Sequence, residues 1–481
     1  MISAHILSLF SVVNLALAVD SATIQTYLTE HLSSGSEVVV NPTDLTERWN
    51  AYDPPTYSVG VKPATTEDVS IIVKYASNNS IPFLGTGGGH GYSTTTSALQ
   101  NGLDIDLSGF NTVSVDDSAS KMTIGGGVRF RDILDPVYAA GKEIQTGSCS
   151  CVGMVGATLG GGIGPYQGLH GLIIDALDSV TIVTGTGEIV NASATENTDL
   201  FWGLRGAGQN FGIITSATYT LHDQTNGGAA LNADFLFAAS ENATIFQIIK
   251  DFAGNQPDAL ALMSVIQYST TYNTTVILVN AIYGGPEEEG RKIIEPLINA
   301  NALQSNVSMI PWNRLIHESR FGADALGCIA GQNQAVYGMN LYNYDIATYQ
   351  ATLDAYIDFY ATTGIINAFM ATEMFPTAAT LETPDDATAY PYRDTMAYLL
   401  LSFGGFSTES QAAAITEFAN QRRAELSKLN GDKGLEVYVN YARGDEGRNA
   451  WYTAEKLPKL ESIKDAWDPN NLFNFTNGFT Y

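Results

Sequence analysis

Basic residues are scarce in this chain. Lys and Arg number 23 against 50 Asp and Glu, a formal net charge of −27 over 481 residues. Such a chain repels polyanions, so neither nucleic acid nor an anionic membrane is an expected partner. Long apolar runs are also missing outside the N-terminus, and no transmembrane helix is expected. Ile6–Leu17 is apolar but too short to span a bilayer, and Ala16-Leu17-Ala18 reads as an A-x-A cleavage site. Residues 1–18 are therefore expected to be a signal peptide, although the segment lacks Lys and Arg; a buried first helix is the alternative. Sequons at Asn78, Asn191, Asn242, Asn273, Asn306 and Asn474 point the same way, toward a secreted glycoprotein.

Metal and nucleophile motifs are missing too. His317-Glu318 lacks the second histidine of H-E-x-x-H, the six histidines are scattered, and there is no G-x-S-x-G. Cysteine is limited to Cys149, Cys151 and Cys328. An oxidising compartment favours pairing, yet the count is odd. Cys149 and Cys151, if extended, have Cα atoms roughly 6.5–7 Å apart, the upper edge of disulfide reach. One thiol is spare or committed elsewhere.

Glycine, by contrast, is plentiful and clustered. In Pro82–Thr94 (PFLGTGGGHGYST), Gly87, Gly88 and Gly89 run into His90, and Gly91 follows. Glycine inside a helix or strand costs backbone entropy and packs nothing. The stretch suits a loop lying against a flat or anionic ligand, with one imidazole touching it; a surface turn with a chance histidine is the plain alternative. A second glycine-rich stretch, Thr146–Leu177, reads as too irregular for regular structure, and Arg205–Thr215 (RGAGQNFGIIT) is a third loop. Together they call for a ligand of long reach, such as a dinucleotide. Neither G-x-G-x-x-G nor G-x-x-x-x-G-K-[ST] is present, which argues against a Rossmann fold or a P-loop.

Periodicity supplies the frame. Strands are expected at Glu37–Val40, Ser58–Val61, Ile81–Leu84 and Met122–Ile124, with alternation at Leu103/Ile105/Leu107 and Val113/Val115. Thr65-x-x-Asp68 resembles a capping box opening a helix through Val69, Ile72, Val73 and Ala76. Phe130–Ala139 and Asp199–Leu204 read as helices, and Val180–Val190 as a hairpin around Gly185-Thr186-Gly187. After Asp223 glycine thins out. Strands are expected at Leu231–Phe237, Leu262–Tyr268, Thr275–Tyr283, Ala368–Phe375 and Thr395–Phe403. Helices are expected at Glu241–Ala253, Glu287–Ala300, Ile346–Thr363 and Glu409–Leu429, with a last one through Leu460, Ile463 and Trp467. This is an α+β pattern: a largely antiparallel sheet covered by helices.

Five motifs occur in order: the glycine loop ending in His90, GSCSCVG (Gly147–Gly153), GGGIG (Gly160–Gly164), DLFWGLRGAGQNFGI (Asp199–Ile213), and a closing YVNY with DPNNLF. In this order they resemble the berberine-bridge-enzyme-like family of FAD-linked oxidases, with the PCMH-type fold of vanillyl-alcohol oxidase. The resemblance implies a two-lobed α+β protein. Residues 54–223 would form the FAD-binding domain, 224–435 a substrate-binding roof, and 436–481 a segment returning to the FAD domain. It also implies residue roles. His90 falls on the histidine joined to the flavin 8α-methyl, and Cys149 on the cysteine that some members bond to flavin C6; Cys151 leaves open which sulfur is used. Cofactor contacts would come from Thr86 (where relatives carry arginine), Gly87, Gly88, Gly89 and Gly91, from Val152, Gly153, Gly156, Gly160 and Gly162, from Gly212 and Ile213, and from Tyr438 and Asn440. A small residue at Val152 would admit dioxygen.

For a base, the strand after Pro391-Tyr392-Arg393 places the family's carboxylate position on Leu401, beside Ser402. The resemblance implies Tyr441 instead, which matches the tyrosine that serves as base in sugar-oxidising relatives, with Glu373 on the neighbouring expected strand as the fallback. If the segment is extended, Arg443 shares the face of Tyr441 and would lower its phenol pKa. The expected reaction is hydride transfer from an alcohol, or from a C–H next to a heteroatom, of a small molecule to covalent FAD, with dioxygen as acceptor and a monomeric enzyme. A dehydrogenase, a cyclase or isomerase without net oxidation, and a flavin-carrying protein without activity are the alternatives.

Overall fold

The computed structural model of the protein describes residues 19–42 and 45–480. The expected signal peptide lies outside the described residues. Three sheets carry the architecture. The first is four-stranded, in the order Glu37–Val40, Tyr57–Lys62, Gly102–Asp106, Phe83–Thr86. Its last three strands run parallel, and Glu37–Val40 is antiparallel to its neighbour. Helix Thr66–Asn78 follows the strand Tyr57–Lys62. The capping box is real: Thr65 accepts from Asp68 N–H while Asp68 accepts from Thr65 N–H. Val69, Ile72, Val73 and Ala76 are fully buried on the inner face. The parallel arrangement leaves the loop 87–91 springing from the C-terminal end of its strand, where open sheets place ligands.

The second sheet is five-stranded and antiparallel: Val113–Asp116, Lys121–Gly125, Gly212–Thr220, Leu177–Thr184, Ile189–Ser193. The expected hairpin is its last pair. Thr146–Leu177 is more regular than its composition suggests. It holds the short helices Met154–Leu159, Gln167–His170 and Ile173–Ala176, because its glycines punctuate the turns and apolar residues such as Met154, Leu159 and Ile173 still supply buried contacts.

The third sheet is the roof. Its seven antiparallel strands run in the order Gln304–Pro311, Ala229–Ala238, Thr274–Tyr283, Leu260–Ser269, Ala368–Met374, Ala397–Gly404, Gln334–Leu341. Helices Asn242–Phe252, Ile346–Thr363 and Glu409–Leu426 cover one face over an apolar core. Two strands escaped the sequence pattern. Gln304–Pro311 is a polar edge strand ending in proline. Gln334–Leu341 is interrupted by Gly338, where a Cβ would lie 2.6 Å from the Cβ of Tyr441; the glycine admits that residue. The expected helix Glu287–Ala300 is divided into Glu287–Ile293 and Glu295–Ile298, with Pro296 in the first turn of the second.

The C-terminal helix, Arg448–Trp467, returns the chain to the second sheet. Lys464 pairs with Asp468 at 2.7 Å and donates to the Asn210 carbonyl. Asp468 in turn accepts from Leu472 and Phe473 N–H, both at 2.9 Å. The DPNNLF motif is thus a fastening of the last segment onto the third glycine loop.

Candidate active site

The glycine loops meet first. A Cβ on Gly88 would sit 2.4 Å from Gly153 N, so the loops 87–91 and 147–153 cross where neither tolerates a side chain. Gly87 also lies close to the Gly126 carbonyl oxygen, 3.0 Å from where a Cβ would sit. The crossing brings His90 to the second loop: Cys149 Sγ is 3.9 Å from His90 Nε2. The His90 ring stacks on Trp49, with centroids 4.5 Å apart. Burial lowers its pKa to about 4, so the imidazole is neutral at pH 7 with a free lone pair. Burial first, and the Asp324 carboxylate second, push the Cys149 thiol up to about 11.

The cysteine question is decided across the seam. Cys151 is disulfide-bonded to Cys328 and Cys149 is free. The bridge ties the second loop to the roof segment after helix Asp324–Gly327. Asp324 accepts from Ser150 N at 2.8 Å, and Gly327 O accepts from Trp49 Nε1 at 2.8 Å. Trp49 lies outside every local motif and no sequence signal singled it out, while the odd cysteine count signalled a pairing without saying which two of the three cysteines form it.

Thr86, where relatives carry arginine, donates to Asp104 at 2.6 Å in the buried strand layer. Arg48 donates through Nη2 to the Gly91 carbonyl at 3.2 Å, and its charge bears on Asp104 and Tyr57.

The inner face of the roof carries a polar row. Register places Asp234, Asn280, Met263, Glu373, Tyr398 and Asn340 side by side across six strands. All are buried, although a sheet face in a core is normally apolar. Polar residues at alternating positions of apolar strands, such as Asp234 in LNADFLF, were the available signal for it. Glu373 is buried rather than solvent-facing, and Tyr441 Oη donates to its Oε2 at 2.7 Å. Ser148 Oγ approaches the other oxygen at 3.4 Å.

Two expectations are corrected here. Val439–Tyr441 is a tight 3₁₀ turn, not an extended strand, because Tyr441 N–H bonds back to the Tyr438 carbonyl. Arg443 therefore leaves the tyrosine's side and lies 4.5 Å over the Tyr337 ring. The Tyr441 pKa is held well above 10, by burial first and then by the Glu373 charge. Burial raises the Glu373 carboxyl as well. Leu401 is not at the site: it pairs with Tyr337 and Met370 in the helix-covered core. The positions beside it, Leu400 and Ser402, belong to the opposite face.

Other residues hold the loops in place. Tyr438 Oη accepts from Gly162 N–H at 3.0 Å, and Asn440 Nδ2 donates to the Ala157 carbonyl at 2.8 Å. Asn440 also fills the space a Cβ on Gly160 would need, 2.1 Å from its Oδ1. Gly212 pairs with Thr184 at the start of its strand, and Ile213 packs in the apolar layer between the first two sheets. Val152 is half-buried at the loop crossing.

The site suits a large polar cofactor. Gly91 and Gly156 are exposed, and a Cβ at either would meet nothing within 4 Å. Tyr92 Oη, Tyr166 Oη and Asn340 Nδ2 are buried without a hydrogen-bond partner among the described residues. Buried polar atoms are normally satisfied, so an unpartnered set along one seam marks where a ligand's polar atoms belong.

Comparison with known proteins agrees. An FAD binding domain model matches residues 57–193, and a berberine and berberine-like model matches 437–479. The FAD-linked oxidoreductase azaL of Aspergillus niger is 42% identical over 88% of this chain and 90% of its own length. Among solved structures, BBE-like 1 of Physcomitrella patens superposes with a TM-score of 0.82 at 21% identity, over 95% of this chain and 100% of that one. A glucooligosaccharide oxidase from Acremonium strictum, described with a 6-S-cysteinyl, 8α-N1-histidyl FAD, gives 0.80 at 22%, over 96% and 99%. These two likenesses are of fold.

Proposed function

The chain belongs to the berberine-bridge-enzyme-like family of FAD-linked oxidoreductases, and on that premise we propose that it oxidises a small-molecule alcohol, or a C–H next to a heteroatom, with dioxygen as electron acceptor. Residues 54–223 together with 436–481 would hold the FAD, and the substrate would bind under the roof formed by 224–435. When bound, FAD supplies the redox chemistry, accepting hydride from carbon and passing the electrons on.

The observation that carries the reading is the Tyr441–Glu373 pair, buried at the seam beside the His90–Cys149 crossing. An alcohol surrenders hydride only as its O–H proton leaves, so a proton acceptor must lie within about 3 Å of that oxygen. Tyr441 Oη takes the substrate proton as it passes its own to Glu373 Oε2. The raised pKa of Glu373 makes it a stronger proton acceptor than an ordinary carboxylate. The neutral His90 imidazole and the single free thiol of Cys149 support covalent attachment of the cofactor at both residues. Ser148 orients the Glu373 carboxylate, and the Cys151–Cys328 bridge ties the roof segment to the loop.

The small Val152 at the loop crossing supports dioxygen as the acceptor. The N-terminal apolar segment and the sequons support secretion as a glycosylated protein, and no helix among the described residues is long and apolar enough to cross a membrane. We take the enzyme to be monomeric. The test is anaerobic flavin reduction by a panel of alcohols, followed by admission of air with peroxide measured. One peroxide per reduced flavin is expected. Reduction without peroxide, with turnover restored by a quinone, would make it a dehydrogenase; a flavin that no substrate reduces would overturn the reading.

A further inference from the structure

Glu373 is 4% exposed, and a carboxylate so deeply buried is costly to keep ionised. Burial pushes its carboxyl up; the Tyr441 hydrogen bond, the Arg320 charge and the Ser148 hydroxyl pull the other way, in that order. Tyr441 Oη donates to Oε2 at 2.7 Å, and Ser148 Oγ approaches Oε1 at 3.4 Å. Among the described residues Arg320 is the one cation acting on the carboxylate. It is joined to Glu373 through Ser148: the guanidinium Nη2 donates to the carbonyl of the residue whose hydroxyl faces Oε1.

An unusual backbone puts Arg320 at that point. Arg320, Phe321 and Gly322 all have left-handed φ, of 56°, 55° and 77°. Two consecutive non-glycine residues in that region are strained and persist only where the surroundings over-determine them. Asp234 supplies the hold. Its carboxylate accepts from Arg320 N–H at 2.7 Å and from Phe321 N–H at 3.1 Å. Asp234 is fixed in turn by Asn232 Nδ2 at 3.0 Å and Asn280 Nδ2 at 2.7 Å. The Arg320 side chain is half-buried. Its head keeps part of its hydration, while its field crosses protein rather than water to reach Glu373.

We infer that Arg320 is a positioning residue for the proton relay: its charge, delivered beside Ser148, keeps the buried Glu373 carboxylate ionised and ready to take the Tyr441 proton. The inference rests on the function proposed above and adds to the Tyr441–Glu373 pair the group that makes the carboxylate a base. The other titratable groups around Glu373 are Tyr441 from the closing turn, Tyr398 from the adjoining strand and Tyr92 from the first glycine loop. Burial raises all three phenols, Tyr398 to about 12, so they stay neutral through the acid and neutral range. His90, at the loop crossing, titrates at about 4. Glu373 is left as the group whose ionisation the relay depends on.

Two readouts on the holoenzyme test it. The first is the pH profile of anaerobic flavin reduction. The second is infrared difference spectroscopy of the oxidised enzyme across pH, which reads protonated Glu373 as the carboxyl band that vanishes in Glu373→Gln. Arg320→Gln keeps an amide donor for the Ser148 carbonyl and removes the charge. Losing a positive charge favours the neutral carboxyl, so both the acid limb of the rate and the band should move to higher pH, by about one unit. Arg320→Lys keeps the charge and should move them by less than about half as much. An unmoved limb and band in Arg320→Gln, or a shift in Arg320→Lys as large as in Arg320→Gln, overturns the inference. So does a wild-type Glu373 still protonated at mildly alkaline pH, a result that needs no Arg320 variant to fold. The infrared titration needs no substrate. An enzyme whose flavin no alcohol reduces, but whose Glu373 band shifts in Arg320→Gln, fails the oxidase reading and keeps the role of Arg320.

Discussion

Tyr441 Oη and Glu373 Oε2 lie 2.7 Å apart, joining residues 68 positions apart in the chain. The phenol is held far above its ordinary pKa and so keeps its proton, while the carboxylate accepts it. Tyr441→Phe keeps the ring and loses the relay, and anaerobic flavin reduction should slow at least ~100-fold. Glu373→Gln should slow it comparably. In the wild type the reduction rate should fall as pH drops through a pKa above the usual carboxylate range, because protonated Glu373 cannot accept. Stopped-flow reduction across pH checks both the magnitude and the limb, which should vanish in Glu373→Gln. A wild-type rate in Tyr441→Phe would reduce the tyrosine to a wall.

Flavin attachment should survive the loss of either anchor. His90→Ala and Cys149→Ala should each leave colour in an acid-precipitated pellet, and the double variant should release it to the supernatant. Mass spectrometry of flavin peptides should locate the second bond on Cys149, since Cys151 is consumed in the bridge to Cys328. Colour lost completely in His90→Ala alone would show a single link.

Val152 tests the acceptor. Val152→Leu adds a methylene at the crossing of the two glycine loops, and reoxidation of the reduced enzyme by air should slow by roughly tenfold or more, with reduction little changed. Stopped-flow reoxidation at several oxygen concentrations reads it. An unchanged rate would place oxygen entry elsewhere.

The Cys151–Cys328 bridge closes a sequence separation of 177 residues. Chain-entropy arguments put such a crosslink near the upper end of disulfide stabilisation, about 5 kcal/mol at most. Cys328→Ser should lower the thermal midpoint, and a phosphine reductant should lower the wild type to match while leaving the variant unmoved. A variant as stable as the wild type would mean that the Asp324 and Trp49 contacts alone hold the roof segment.

Local information in the sequence determined a good deal. The Thr65–Asp68 capping box, helix Phe130–Ala139, the hairpin after Val180 and the helix Ile346–Thr363 were legible because each is set by contacts within a few residues. The glycine loops were legible because only glycine permits backbones to cross as Gly88 and Gly153 do, and their order with the closing motifs carried the family and the cofactor. What the tertiary structure alone decided is long-range. Glu373 faces the seam through strand register, and a slip of one residue would have turned it into the helix-covered core where Leu401 lies. Cys328 chose Cys151 and left Cys149 free, Arg48 came to the Gly91 carbonyl, and Asp234 accepted from the backbone N–H groups of Arg320 and Phe321. Each is a meeting of groups far apart in the sequence, fixed by the packing of sheets rather than by any local pattern.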